Sequence, residues 1–174
     1  TKQEHKIEEH VWKSKPEENA PPLMQWLASV CNVYTKTVLK SHVTKTGAIG
    51  ESPSFQKLDK SKAEQGFKEF HMHNGWIVNS VAGDFNPWHM HYGIISSAGW
   101  LKVPKSIESD VEREKAGWIE FLYGTPQTWV EVKYPVKPEV GKLCIFPAWL
   151  HHQVYPFRGD GLRRTISFNA SFKF

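Results

Sequence analysis

Phe146-Pro147-Ala148-Trp149-Leu150-His151-His152-Gln153-Val154-Tyr155-Pro156 and, eleven residues after His152, Arg163-Arg164-Thr165-Ile166-Ser167-Phe168-Asn169 decide how this chain is read. The first stretch is an apolar strand, a turn and a His-bearing strand. In the second, Arg163, Thr165, Ser167 and Asn169 share one face of a strand, with Ile166 and Phe168 on the other. So polar a row is unusual in a strand flanked by core. A buried Arg needs an anionic partner, and a planar guanidinium beside a hydroxyl is well shaped for a carboxylate. An internal Asp or Glu could serve, but the spacing from His152 favours the carboxylate of a ligand. Strand parity turns Arg164 outward, unless a local bulge lets the two arginines exchange roles.

Around this stretch the chain reads as short apolar runs broken by turns. Trp76–Val81 ends at Gly83, Tyr92–Ile95 and Trp100–Val103 follow, and residues 105–116 are charged and loop-like. Trp118–Tyr123 ends at Gly124, Thr128–Tyr134 alternates, and Leu143–Phe146, His152–Tyr155 and Thr165–Phe172 complete the set. Many short strands at close spacing imply a sandwich or barrel. Upstream, Asn19-Ala20-Pro21-Pro22 is a helix start, with proline accepted in the first turn. Leu23, Trp26, Leu27, Val30, Tyr34 and Val38 follow at helical spacing, predicting an amphipathic helix over 22–41 that buttresses a sheet. Residues 1–18 are polar and extended in character; residues 44–65 have the composition of a loop or lid, with a short helix near Ser61–Phe67. The division expected is an N-terminal extension over 1–66 and a β core over 67–174, together one structural domain.

Composition narrows the function classes. Hydrophobic residues make up 40% of 174, enough to bury a core. The formal charge of +4 comes from lysines scattered among Ser, Thr and Glu, which is a solvated surface and not the Arg/Lys-aromatic face of a nucleic-acid binder. No apolar run reaches the roughly 20 residues that span a bilayer. The opening Thr1-Lys2-Gln3-Glu4 is not a signal peptide, so a cytoplasmic protein is expected. Cys31 and Cys144 fit neither a zinc ribbon nor a CxxC pair, and Cys144 reads as a buried free thiol.

Of the nine histidines, three stand where chemistry is expected. His89 and His91 form an H-x-H after Asn86-Pro87, and residues i and i+2 of a strand point to one face, so both imidazoles can reach one ion. His152 supplies a third ligand. His71 and His73 make a second H-x-H beside Asn74-Gly75, which a surface strand end explains as well. Trp88 and Trp149 are candidates for the mouth of the site, though ordinary core positions suit them too.

In this ordered set the chain resembles the 2-oxoglutarate- and iron(II)-dependent oxygenases, in a 2OG-Fe(II) oxygenase branch related to the prolyl hydroxylases. The resemblance runs from about Trp76 to Phe172. His89-Met90-His91, six residues after Gly83, matches the group's H-x-D; Gly141-Lys142-Leu143, Phe146-Pro147 and His152 match the run to its distal histidine; Arg163-Arg164-Thr165 matches its Arg-x-Ser/Thr. Trp76-Ile77-Val78-Asn79 and Ser96 to Pro104 match more loosely. The resemblance implies a mainly β fold, a double-stranded β-helix (a jelly-roll, cupin-like barrel) with an N-terminal helical buttress. It implies iron(II) on His89, His91 and His152, with 2-oxoglutarate as cosubstrate and O2 as oxidant. Arg163 and Thr165 would hold the distal carboxylate of 2-oxoglutarate, with Asn79, Ser167 and Asn169 as further cosubstrate contacts.

The implied activity is hydroxylation of a small molecule or peptide, with release of succinate and CO2. One departure stands out: His91 occupies the position of the group's carboxylate. Three imidazoles also suit zinc, and Asp84 could supply a carboxylate from elsewhere. A three-His metal dioxygenase that needs no 2-oxoglutarate, and a non-catalytic barrel, are the alternatives. The sequence names neither substrate nor oligomeric state.

Overall fold

A computed structural model describes residues 3–7, 10–13, 21–46, 65–109 and 114–173. In chain order the elements are β1 (Gln3–Ile7), β2 (His10–Lys13), α1 (Pro22–Thr46), β3 (Glu69–Ser80), β4 (Asn86–His89), β5 (Ile95–Lys102), α2 (Lys105–Ser109), β6 (Ile119–Leu122), β7 (Lys133–Val136), β8 (Leu143–Pro147), β9 (His151–Val154) and β10 (Arg163–Lys173). The expected lid over 44–65 and the helix near Ser61–Phe67 fall mostly on residues 47–64, outside the described residues, as do residues 110–113 of the loop expected over 105–116.

The chain divides into two compact units, one of residues 1–9 and 72–170, the other of 10–71 and 171–174. In the first unit, one sheet runs in the order β1-β3-β10-β5-β8 and a second in the order β4-β9-β6-β7. From β3 onward the chain alternates between these sheets, except at the β6–β7 hairpin, and every neighbouring pair with a known register is antiparallel. That strand order is the double-stranded β-helix, and the fold is mainly β as the sequence implied.

Several strand limits differ from expectation, for physical reasons. Tyr92–Ile94 is a bend, and β5 begins at Ile95 and runs unbroken to Lys102. Thr128–Tyr134 alternates like a strand, yet Gln127 and Val130 bridge across a tight turn and pairing resumes only at Lys133. Pro135 is tolerated because β7 lies at the sheet edge, where its missing N–H leaves no ladder bond unmade. Trp100, Ile119, Phe121 and Phe146 form the buried cluster of this unit, and a second cluster joins Ile107, Ala116 and Phe157. Truncating an aromatic of this kind to Ala costs about 3–5 kcal/mol.

In the second unit, α1 is longer than the expected 22–41 and buries a different stripe. Met24, Leu27, Ala28, Cys31 and Thr35 are buried, whereas Leu23 and Trp26 are exposed. The buried face combines Met24 and Leu27 with the smaller Ala28, Cys31 and Thr35; Thr35 Oγ1 donates back to the Cys31 carbonyl at 2.8 Å, which satisfies its hydroxyl there. Phe67 stacks on Phe70 and Phe172, each with ring centroids 5.6 Å apart. Burial lifts the Cys31 thiol to about 12, leaving it inert. Both cysteines are free, and Cys144 is half-buried.

Candidate metal centre and carboxylate pocket

The three expected ligands converge through strand register. His89 on β4 stands directly opposite His152 on β9, and Phe121 on β6 stands opposite His152 from the other side. Opposed side chains have Cβ atoms roughly 5 Å apart. His91 lies just past the end of β4, where its N–H donates to the Ala148 carbonyl at 2.9 Å. One ligand atom from each of the three imidazoles lies within 4.8 Å of the others. The Nε2 atoms of His91 and His152 are 3.3 Å apart. Bonds of about 2.1 Å from one ion to two imidazoles place those nitrogens about 3 Å apart, so the donor set fits a divalent transition metal with little movement.

Backbone carbonyls set the ring orientations. His152 Nδ1 donates to the Leu150 carbonyl at 2.9 Å, and His89 Nδ1 donates to the Pro87 carbonyl at 2.7 Å. Each bond leaves Nε2 with its lone pair facing the site; in His89 that lone pair accepts from the Asn86 amide at 3.2 Å. Burial drives the His152 pKa down to about 4, against an upward pull from the Leu150 carbonyl. The imidazole is therefore neutral and ready to ligate at neutral pH. Trp76 packs on His91, and Phe121 and Phe146 pack on His152. These rings form an apolar collar. His71 and His73 lie outside the three-histidine group, and so does Asp84, whose Oδ2 accepts from the Val81 N–H at 3.0 Å.

These histidines line a cavity of about 450 Å³ whose far side is the polar row of β10. Arg163, Thr165, Ser167 and Asn169 all face into it. Register shifts between Arg164 and Thr165, but the two arginines do not exchange roles: Arg163 is 4% exposed, and Arg164 is exposed. Arg163 Nη1 donates to the Gly117 carbonyl at 2.8 Å and Nη2 to Ser80 Oγ at 3.2 Å, while its buried Nε has no partner. Among the described residues no carboxylate forms an ion pair with it. Burial lowers its pKa to about 10, with the Asp84 charge acting in the opposite direction. Asn169 Oδ1 is likewise buried without a partner. A buried cation with an unmet donor, on the wall of a cavity that also holds three imidazoles, fits a carboxylate ligand.

Asn79 is placed elsewhere: its Oδ1 accepts from Arg164 Nε at 2.8 Å, outside the cavity. The inward residues of β3 are the even ones, Asn74, Trp76, Val78 and Ser80. Trp88 and Trp149 are both exposed and neither lines the cavity; Trp76 and Trp100 do. Sequence reasoning missed Ser80, which the parity of Trp76-x-Val78-x-Ser80 could have signalled. It also missed Gly117, for which no sequence signal exists.

Fold and site together define a double-stranded β-helix protein in which three histidines could hold a metal ion and a buried arginine lines the same cavity. The family described as "Putative 2OG-Fe(II) oxygenase" matches residues 74–169, more than half of the chain and the whole cavity wall, and the chain belongs to this family. No curated protein matches it. Among solved structures it is similar to a Pseudomonas putida prolyl-4-hydroxylase, at 14% identity over 99% of this chain and 69% of that one, with a TM-score of 0.49. It is also similar to a 2OG-Fe(II) oxygenase family oxidoreductase from Burkholderia pseudomallei, at 14% identity over 59% of this chain and 45% of that one, with a TM-score of 0.45. The chain thus spans under half the length of the Burkholderia protein. The Schizosaccharomyces pombe Cnp3 cupin domain is 14% identical over 72% of this chain and 74% of its own length, with a TM-score of 0.34. Among the described residues no helix is long and apolar enough to cross a membrane.

Proposed function

We propose that this chain is a 2-oxoglutarate- and iron(II)-dependent oxygenase that hydroxylates a small-molecule or peptide substrate. The observation that carries the reading is Arg163, a buried guanidinium with an unpartnered Nε and, among the described residues, no ion-paired carboxylate, in the same cavity as the three histidines. Iron(II) bound there, with 2-oxoglutarate and O2, supplies an oxidation that puts one oxygen atom into a substrate C–H bond and the other into succinate as CO2 leaves.

The protein's own part is binding, aim and dryness. His89, His91 and His152 bind the metal through Nε2, their orientation set for His89 and His152 by the Pro87 and Leu150 carbonyls. Arg163 anchors the distal carboxylate of 2-oxoglutarate, and Thr165 offers it a hydroxyl. Three neutral imidazoles leave the ion's double charge unreduced, which strengthens its pull on a dianionic cosubstrate. Trp76, Phe121 and Phe146 exclude water from around the ligand rings.

The test is spectroscopic. Iron(II) is added anaerobically, then 2-oxoglutarate, and the visible charge-transfer band of the chelate is sought; oxygen is then admitted and succinate measured. Arg163→Ala should lose the band at 2-oxoglutarate concentrations that saturate the parent. An iron-loaded parent with no band would refute the reading in favour of a three-His enzyme without this cosubstrate. A parent that takes up no iron would point to a zinc site or a non-catalytic barrel.

A further inference from the structure

Glu120 is a carboxylate on β6 with no solvent exposure, and its neighbours Ile119 and Phe121 flank it in the ladder. Ile119 lines the cavity and Glu120 does not, so the carboxylate touches no ligand there. Its three partners are nonetheless specific. Lys115 Nζ donates to Oε1 at 2.9 Å; Gln153 Nε2 at 3.0 Å and the Tyr155 hydroxyl at 2.7 Å donate to Oε2. Burial alone would raise the carboxyl pKa, but these donors outweigh it and hold the pKa below the ordinary value. A buried charge satisfied this fully is strongly destabilising to break, because removing a partner leaves it uncompensated.

Among the described residues Lys115 is one of two non-glycine residues at positive φ, at 73°. A left-handed lysine is held against its own preference. It opens a turn in which the Trp118 N–H donates to the Lys115 carbonyl at 3.0 Å. The turn is tied to the strand end beyond Gln153, through Gly117 N–H to the Pro156 carbonyl at 3.2 Å and Tyr155 N–H to the Trp118 carbonyl at 2.9 Å. Within this turn the Gly117 carbonyl accepts from Arg163 Nη1. Gly117 itself, at φ 68°, disfavours any side chain, since a Cβ would lie 2.6 Å from Ile107 Cδ1 and push that side chain aside.

We infer that Glu120 and Lys115 are positioning residues for the cosubstrate: their ion pair holds the left-handed turn whose Gly117 carbonyl aims the Arg163 guanidinium into the cavity. The inference rests on the proposed 2-oxoglutarate site. Gln153 ties the same carboxylate to the strand that carries His152, so one buried charge braces the strand of a metal ligand and the loop behind the arginine anchor. Its effect should fall on the carboxylate end, because His152 is independently held by Leu150 and by its register with His89.

The experiment compares the parent with Lys115→Met, which keeps side-chain length without charge, and Lys115→Arg, which keeps the charge. Anaerobic titration of the iron-loaded proteins with 2-oxoglutarate reads the dissociation constant from the chelate band. Loss of one aimed hydrogen bond should weaken 2-oxoglutarate on the order of ten-fold in Lys115→Met, with iron(II) affinity within about two-fold of the parent, and Lys115→Arg should restore binding. Amide exchange of the metal-free proteins supplies a second reading, with Trp118 exchanging faster in Lys115→Met and β8 unchanged. Parent-like cosubstrate binding in Lys115→Met would overturn the inference, as would equal weakening of iron and cosubstrate. A parent without any band removes the proposed function itself, and unchanged exchange at Trp118 then removes the brace as well.

Discussion

Arg163→Met separates binding from stability more sharply than any other change at this site. The substitution keeps much of the side-chain volume and removes a cation that is 4% exposed. Burial lowers the guanidinium pKa to about 10, which corresponds to unfavourable desolvation on the order of 3 kcal/mol in the folded state. Against this, two charge-assisted hydrogen bonds are lost, to the Gly117 carbonyl and the Ser80 hydroxyl, together worth about 3–6 kcal/mol. The two effects largely offset each other, so the metal-free variant should match the parent's stability within about 3 kcal/mol.

Cosubstrate binding has no such compensation. Removing one partner of a buried guanidinium–carboxylate pair costs about 3–5 kcal/mol, so 2-oxoglutarate should bind roughly a hundred- to several-thousand-fold more weakly. Thermal melts of the iron-loaded, oxygen-free proteins read both quantities. A ligand at about 100 times its dissociation constant stabilises by about 2.7 kcal/mol, a rise of roughly 5–10 °C for a chain of this size. The parent should show that rise and Arg163→Met should not, with similar midpoints before the ligand is added.

The pH dependence follows in sign. The folded pKa lies below the unfolded one, so from about 10 up to the ordinary guanidinium value the unfolded chain holds more protons at this residue. The parent's stability relative to the variant should therefore rise with pH across that window and be flat below it. An equal ligand-induced rise in both proteins, or a metal-free variant destabilised by much more than 3 kcal/mol, would refute the view of Arg163 as a ligand anchor held at a cost to folding.

Metal binding should fall at least ten-fold in His91→Ala and stay unchanged in His71→Ala, measured by competition with a chromophoric chelator; equal behaviour of the two would displace His91 from the ligand set. His91→Asp should retain iron(II) while weakening 2-oxoglutarate several-fold, because the added negative charge reduces the ion's pull on a dianion, and tighter cosubstrate binding would contradict that electrostatic account. Gly117→Ala should lower stability by about 1–3 kcal/mol in urea melts, since it combines a φ of 68° with the close approach to Ile107, and parent-like stability would show that the turn relaxes freely.

Much of the site was legible in the linear pattern because a strand has period two. Once residues 163–169 are read as a strand, Arg163, Thr165, Ser167 and Asn169 must share a face, and the structure puts all four on the cavity wall. Asn79, expected as a cosubstrate contact from the resemblance, has the opposite parity on β3, where Ser80 faces the cavity. The helical stripe slipped for a related reason. Large apolar residues mark a helix face by hydrophobicity, but close packing selected Ala28, Cys31 and Thr35 and left Trp26 exposed. Thr128–Tyr134 alternates as a strand does, yet alternation cannot reveal that Gln127 and Val130 already bridge across a turn.

The amino-acid sequence by itself determined the mainly β fold, the three histidines and the buried arginine, because each follows from local periodicity and from residue chemistry that tolerates few environments. Only the tertiary structure decided how they work together. The pairing of His89 with His152 is a matter of register between strands 63 residues apart. Arg163 is aimed by the carbonyl of Gly117, a backbone atom that every residue type possesses and no sequence pattern marks. That no carboxylate among the described residues forms an ion pair with that arginine emerges only once the chain has closed around it, since pairing is a property of the packed interior.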